Sequence, residues 1–272
     1  MNKMKIFALV VMLGVLIPLG SSVMSESPES QPVLYDDFTH TVFVEYCTTT
    51  WCPNCPPAAG ALEELFDDGT HDFMYVTLAS DVNEAAQQRS WWGFFNRAIP
   101  AMYVDGGDLN MIGSAGSIPA TKDAYAELIE ERGAADVADI DLSVDAEWNS
   151  GTLEIEATIV NNGGLYIGFA KSFIFEDVSR WIDTSSANYR HAVIDFGFNN
   201  LIIVMPGATK TISASWDSAQ TNYSDVDPAN LGVAAAVYNL LDFGVRTGYS
   251  DGSFTQKYVG FFADESAAVF LE

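Results

Sequence analysis

Two adjoining stretches decide the fold: Thr41-Val42-Phe43-Val44-Glu45-Tyr46 and Trp51-Cys52-Pro53-Asn54-Cys55-Pro56-Pro57. The first is rich in β-branched and aromatic residues, which predicts a buried strand. The second is followed by Ala58 to Phe66, where the apolar residues recur at helical spacing. Two cysteines separated by two residues therefore stand between a buried strand and the start of a helix.

The remainder of the first half predicts a mixed order of elements. Strands are expected at 73–78, 99–104 and 109–112, and helices at 84–96 and 118–132. The run Asp105-Gly106-Gly107-Asp108 is typical of a hairpin turn. Together these elements give the order β-α-β-α-β-β-α.

A dithiol at the start of a helix has a definite chemical use. The unpaired N–H groups and the positive end of the helix dipole favour the thiolate form of a cysteine. We expect Cys52 to lie exposed there as the nucleophile, with Cys55 one turn further on to resolve the mixed disulfide. Trp51 would cover one side of the sulfur. Pro56 and Pro57 suit a first turn because no N–H group is needed there.

The segment Trp51-Cys52-Pro53-Asn54-Cys55 resembles the W-C-x-x-C active site of the thioredoxin-like superfamily, and Ile99-Pro100 resembles that family's cis-proline loop. The resemblance covers about residues 35–133. It implies an α/β thioredoxin-like domain, with a mixed central sheet flanked by helices, in which Pro100 contacts the dithiol and the backbone of its partner. The run from Val44 to Ala58 is also similar to secreted outer-membrane-type proteins that carry a C-terminal β-sandwich after such a domain.

Two neighbours of the dithiol have open roles. Pro53-Asn54 replaces the Gly-Pro of thioredoxin, and since this dipeptide helps to set the reduction potential, either direction of electron flow is possible. The superfamily also has a buried acid beneath the dithiol, for which Glu45 is the nearest candidate. A buried Glu45 would have a raised pKa and could pass a proton to Cys55. The alternative is a solvent-facing glutamate.

The third cysteine, Cys47, is interpreted as a small buried residue that ends the strand. The alternative is a regulatory or misdirected disulfide with Cys52 or Cys55. The C-x4-C-x2-C spacing matches plant-type iron–sulfur proteins but lacks a fourth cysteine. The histidines, expected on the surface or in loops, are not at ligand spacing: His40, His71 and His191. We therefore predict no metal and no cofactor beyond a redox-active Cys52–Cys55 disulfide, with copper or zinc delivery as a third hypothesis.

The pattern changes past Gly133, where strand-like runs replace helical periodicity. Short strands separated by turn signals predict an all-β, immunoglobulin-like sandwich. The runs are 139–148, 152–160, 168–176, 201–205, 209–216, 231–238 and 255–262. The predicted domains are 35–133 and 138–272. Tyr189-Arg190-His191 is expected on a solvated strand face, and Trp91-Trp92 with Phe94-Phe95 in the core or, as the alternative, in a substrate groove.

The N-terminus predicts export. Residues 1–25 have the basic start, apolar run and small residues of a signal peptide, or of an anchor if uncleaved, and residues 26–34 form a polar tether. The formal net charge is −25, from 37 acidic and 12 basic residues. Such a charge argues against binding to a phosphate backbone and disfavours docking to anionic lipid. Membrane contact is expected only through the N-terminal segment.

The sequence thus predicts an extracytoplasmic thiol–disulfide oxidoreductase that exchanges disulfides with protein substrates and is recycled by a redox partner. Three cysteines within nine residues, in a protein expected to be exported, indicate chemical rather than scaffolding use. The alternative is a non-catalytic envelope or binding protein on a thioredoxin scaffold, in which the same disulfide is structural.

Overall fold

Strands dominate the protein. The computed structural model describes residues 38–271, which lie in one compact unit and are 52% strand and 21% helix. The strands are β1 (Val42–Thr48), β2 (Phe73–Ala79), β3 (Ala101–Val104), β4 (Leu109–Ile112), β5 (Ile140–Asn149), β6 (Thr152–Asn161), β7 (Tyr166–Ile182), β8 (Asn188–Val204), β9 (Thr209–Asp217), β10 (Leu231–Ser250) and β11 (Thr255–Phe270). The α-helices are α1 (Pro56–Asp68), α2 (Glu84–Gln88) and α3 (Ile118–Gly133).

One eight-stranded sheet joins the two halves of the chain, in the order β11-β10-β7-β8-β2-β1-β3-β4. Within it β1 runs parallel to β2 and antiparallel to β3. The two halves meet where β2 and β8 run parallel, with Thr77 opposite Ala192. A second, antiparallel sheet has the order β5-β6-β9.

Three apolar cores explain this arrangement. The inner core collects side chains from β1, β2 and β3 together with others from β7, β10 and β11, so the large sheet must curl until its two ends share one face. On the outer face, α1 and α3 cover β1 and β2. The three-stranded sheet covers β7, β8 and β10 and closes the third core.

The predicted fold class is wrong. It placed an α/β thioredoxin-like domain before a separate immunoglobulin-like sandwich, whereas the protein is predominantly β with three helices and a curled eight-stranded sheet. The physical reason is the long-range pairing of β2 with β8, which periodicity within either half does not show. The bounds 35–133 and 138–272 stay a prediction, and residues 1–25 and 26–34 lie outside the described residues.

Most elements of the first half lie close to their predicted positions, with one clear exception. The helix expected over 84–96 is α-helical only to Gln88 and continues as a π-helical turn, Arg89–Gly93. The wider turn presents Trp91 and Trp92 to solvent and directs Arg89 inward. Among residues 38–271, no helix is both long and apolar enough to cross a bilayer.

Candidate functional site

Strand β1 places different chemistry on its two faces because side chains alternate along a strand. Val44 and Tyr46 face α1 and belong to the outer core, whereas Phe43 and Cys47 face the inner core. The Tyr46 hydroxyl donates to the Cys55 carbonyl oxygen at 3.1 Å. This bond ties the middle of β1 to the cap residue of α1.

Cys52 and Cys55 are joined by a disulfide at the end of β1 nearest α1. Cys55 is the N-cap of α1, and its carbonyl oxygen accepts the N–H groups of Ala58 and Ala59, both at 3.0 Å. Pro56 occupies the first helical position, where a missing N–H group costs nothing. Cys52 therefore precedes the helix rather than lying on its first turn.

The expected exposure of Cys52 is wrong: it is only 3% exposed, and Cys55 is fully buried. The turn between β7 and β8 reaches this loop, and the Thr184 hydroxyl donates to the Cys52 carbonyl oxygen at 3.2 Å. Trp51, expected to cover the sulfur, is instead 66% exposed, and Pro53 and Asn54 are exposed.

The three threonines before Trp51 are held from two directions. The Tyr189 hydroxyl lies 3.1 Å from the Thr48 hydroxyl and donates to the Thr49 carbonyl oxygen at 3.1 Å. On the other side, the Thr50 N–H and hydroxyl donate to the Asp81 carboxylate, at 3.0 and 2.6 Å. Tyr189, from the second half of the chain, and Asp81, from the first half, thereby hold the loop that carries the disulfide. Tyr189 is 2% exposed, so its predicted place on a solvated face is wrong.

Ile99 and Pro100 directly precede β3, which pairs with β1, and the peptide bond between them is cis. Pro100 is buried, and its carbonyl oxygen accepts the Gly113 N–H at 2.7 Å, beside the pairing of β3 with β4.

An open cavity of about 600 Å³ lies beside the disulfide loop. Trp51 and Thr49 from that loop form one wall, and Ile99 lies on another. Exposed aromatic side chains complete it, with Trp91 51%, Trp92 73% and Phe95 47% exposed. Phe94, by contrast, is buried against Tyr103, so the core interpretation holds for that ring. Trp91, Trp92 and Phe95 line the open cavity, and the substrate groove stays a prediction.

Glu45 is buried, but on the other side of β1 from α1. By strand alternation it shares the face of Phe43 and Cys47, and its carboxylate accepts two hydrogen bonds from Arg89, at 2.5 and 2.6 Å. Glu45 therefore lies on the wrong side of β1 to pass a proton to Cys55. Arg89 was not anticipated, because a single arginine beside two tryptophans carries no signal that it turns inward.

Cys47 is a free, fully buried thiol in the inner core. Burial raises the pKa of this thiol to about 12, and the Glu45 charge adds to the shift. The hydrogen bond with Ser90 and the nearby Arg89 charge act in the opposite direction but are smaller effects. The thiol is thus protonated at physiological pH and unreactive as a nucleophile.

Two of the three histidines are buried, contrary to the expected surface positions. The Nε2 atom of His40 lies 2.9 Å from the Asp105 carboxylate, which also accepts a hydrogen bond from Nε of Arg132 at 2.9 Å. His191 is fully buried among aromatic rings, and this burial lowers its pKa to about 4. His71 is partly buried and lies 2.9 Å from the Glu130 carboxylate. Across residues 38–271, no group of three or more ligating side chains could hold a metal ion.

Comparison with known proteins gives structural likenesses only. No family model and no curated protein matches the chain. HBP35 of Porphyromonas gingivalis is similar over 86% of this chain and 76% of its own, at 13% identity and a TM-score of 0.60. A structural-genomics protein from Agrobacterium tumefaciens is similar over 85% and 94%, at 15% identity and 0.48. A Kluyveromyces marxianus β-glucosidase is similar over 57% and 17%, at 11% identity and 0.29.

At 13% identity, the likeness to HBP35 concerns the fold alone. The protein is mostly β-sheet, with a curled eight-stranded sheet rather than a thioredoxin-like α/β core, so the predicted recognition is wrong, including its secreted outer-membrane-type group. The thioredoxin-like fold and the oxidoreductase class predicted with it conflict with the β-rich structure, so the oxidoreductase class loses the support of that resemblance. The Cys52–Cys55 disulfide itself is present, and its chemistry has to be argued from its surroundings.

Proposed function

We propose that the protein carries out dithiol–disulfide exchange on protein substrates through Cys52 and Cys55, outside the cytoplasm. The supporting observation is that Thr49 and Trp51, in the loop that carries the disulfide, line a large cavity with exposed aromatic walls. Four large aromatic side chains line it while partly or mostly exposed, and such clusters mark binding sites more often than chance.

The chemical step is a thiolate attack on the Sγ atom of Cys52. A new bond forms between the substrate sulfur and Cys52, the Cys52–Cys55 bond breaks, and Cys55 leaves as a thiolate that takes a proton. A second thiolate of the substrate then attacks the substrate sulfur that is bonded to Cys52, and Cys52 leaves as a thiolate. The substrate dithiol is oxidised and the Cys52–Cys55 disulfide is reduced. The disulfide of a partner protein then reoxidises Cys52 and Cys55, and the partner is itself reduced.

Cys52 is the sulfur that the substrate thiolate attacks, because it is the more accessible of the two and directly follows Trp51 of the cavity wall. Its 3% exposure requires the turn that carries Thr184 to move aside when substrate binds. Ile99, also on the cavity wall, would contact the substrate backbone next to the reacting sulfurs.

The deciding experiment is the capture of a mixed disulfide. The Cys55→Ser variant should accumulate a covalent adduct with an unfolded protein that retains its disulfides: the Cys52 thiolate attacks a substrate disulfide, a substrate thiolate leaves, and no Cys55 remains to resolve the adduct. Cys52→Ser should form none. Cys47→Ala is the matched control, and its exchange rate should equal that of the wild type because the Cys47 thiol is buried and protonated. The proposal fails if the wild type neither reduces insulin with dithiothreitol nor oxidises a reduced peptide.

The burial of both cysteines favours a second candidate, a structural disulfide in a non-catalytic binding protein. Closing so short a loop would stabilise the fold by about 2 kcal/mol in the chain-entropy account. A reduction potential below roughly −300 mV, together with inactivity in both assays, would support this candidate.

A further inference from the structure

A second cavity, of about 290 Å³, lies inside the curled sheet, and no cysteine lines it. It approaches the lower end of the size range of small-molecule sites, roughly 300–1,000 Å³. It shares Trp92 and Phe95 with the aromatic cavity, but its deeper walls are Phe169 and Phe261 with Tyr238. Two cations, Lys171 and Arg89, also line it.

Lys171 is unusual in this acidic chain. Within residues 38–271 it has no carboxylate within 4.0 Å, and every other lysine or arginine that lacks such a partner there is exposed. Its ammonium lies 5.0 Å from the ring centroid of Tyr238. A partly buried cation without a counter-ion is costly, which indicates that a negative group from outside the chain completes it.

Arg89 contributes the second positive group. Glu45 accepts hydrogen bonds from Nε and Nη2, which leaves Nη1 for another acceptor. Gly93 makes room for this nitrogen, because a Cβ atom there would lie 2.8 Å from Nη1.

When Lys171 is protonated, the charges that face the cavity sum to an excess of one positive charge. Lys171 and Arg89 stand against Glu45, and the nearby Asp105 is already engaged by Arg132 and His40. The buried Tyr238 hydroxyl makes no hydrogen bond of ordinary geometry among the described residues, although the Arg89 guanidinium lies close to it. The walls therefore combine flat apolar rings with unmatched polar groups at one end.

We propose that this cavity binds a small planar organic anion, whose carboxylate or phosphate meets Lys171 and Nη1 of Arg89. Its apolar body packs between the rings of Trp92, Phe169 and Phe261. The site requires neither cysteine, so it is independent of disulfide exchange.

Calorimetric titration of the full chain with 2-naphthoate tests the site, with 2-naphthamide as the neutral isostere and 2-naphthyl phosphate as the second head group. Naphthoate should bind at least tenfold more tightly than naphthamide. The Lys171→Met variant should lose at least tenfold of that affinity, as expected for a hydrogen bond to a charged group. Lys171→Arg should retain most of it, and Lys210→Met, the same charge change at an exposed site, should leave it unchanged.

The pH dependence of the wild type gives a test that needs no variant. The positive charge of Arg89, followed by burial, lowers the pKa of Lys171 to about 7, while Glu45 acts in the opposite direction. An anion binds the protonated amine, so affinity should fall as the pH rises from 7 to 9. Equal binding of naphthoate and naphthamide, or affinity that is constant from pH 6 to 9, overturns the proposal. So does a Lys210→Met effect as large as that of Lys171→Met.

Discussion

Arg89 and Glu45 form a two-fold hydrogen-bonded ion pair inside the curled sheet, at 2.5 and 2.6 Å, with the carboxylate fully buried. The pair joins the π-helical turn to β1. The guanidinium also lies 4.4 Å above the ring of Phe94. Because this buried pair holds the turn on β1, replacing either Arg89 or Glu45 should displace the turn and the exposed tryptophans that it carries.

Removing Arg89 should destabilise the fold strongly. Arg89→Met leaves the Glu45 carboxylate buried without a partner, and we expect a loss of about 3–5 kcal/mol in the free energy of unfolding. The double variant Arg89→Met, Glu45→Leu should recover most of this loss, because apolar replacements of a buried pair are often neutral. Urea unfolding measures both, with the exposed Arg97→Met as control. Equal losses in the single and double variants would contradict the argument.

Tyr189→Phe should loosen the disulfide loop without disturbing the core. It removes the hydroxyl shared by Thr48 and the Thr49 carbonyl oxygen, at a cost of about 1–3 kcal/mol. Amide hydrogen exchange should quicken from Thr49 to Cys55. Tyr249→Phe, whose hydroxyl contacts only Asp251 at 3.4 Å, should show no such change. Unchanged exchange in Tyr189→Phe would show that the hydroxyl does not hold the loop.

Gly106 is required where the turn after β3 meets β11. Its φ is +68°, and a Cβ atom there would lie 2.1 Å from the Phe261 carbonyl oxygen. Gly113 also has a positive φ, +93°, but a Cβ atom there would have no neighbour within 4 Å. Gly113→Ala should therefore cost about 1–2 kcal/mol from backbone conformation alone.

Gly106→Ala should cost at least about 2 kcal/mol more than Gly113→Ala, since backbone atoms must shift as well. Thermal unfolding of the two variants provides the comparison. Similar losses in both would mean that the contact with β11 is not tight.

His191 should make the protein sensitive to mild acid. Burial lowers its pKa to about 4, against about 6.5 in an unfolded chain, with the Asp177 charge opposing the shift. As the pH drops, the unfolded chain binds a proton at this histidine before the folded protein does, so the free energy of unfolding falls between pH 6.5 and 4. The loss approaches about 1.4 kcal/mol per pH unit.

His191→Asn should remove this slope. Asparagine tolerates the positive φ of 51° at that position but does not titrate. The stability advantage of the wild type over the variant should shrink steadily between pH 6.5 and 4. A constant difference across that range would show that His191 is not held neutral by the fold.

Local pattern was sufficient for most elements in the first half of the chain, the π-helical turn at Arg89–Gly93 being the exception. The predicted strand 73–78 is β2 (Phe73–Ala79), and the predicted helix 118–132 is α3 (Ile118–Gly133). Apolar spacing and caps are encoded within a few residues, so such elements can be found without knowing their partners. The position of the disulfide at the strand–helix junction followed for the same reason.

Pairing between distant segments could not be found this way. The predicted run 201–205 covers only the end of β8 (Asn188–Val204). Its Asn188 and Arg190 make side-chain bonds to β7, and its buried histidine lies among aromatic rings from other elements. The roles of Tyr189, Thr184 and Arg89 depend on contacts over 40 to 140 positions, for which a single sequence carries no local signal.

The pairing of Thr77 with Ala192 also bears on the order in which the protein matures. Contacts of such high contact order form slowly, because a long loop must close before they contribute. The loop with Cys52 and Cys55 is complete early in synthesis, yet its cover at Thr184 arrives only after more than a hundred further residues. The nascent chain therefore presents both sulfurs to oxidants or partner thiols during a period that ends when the β7–β8 hairpin docks.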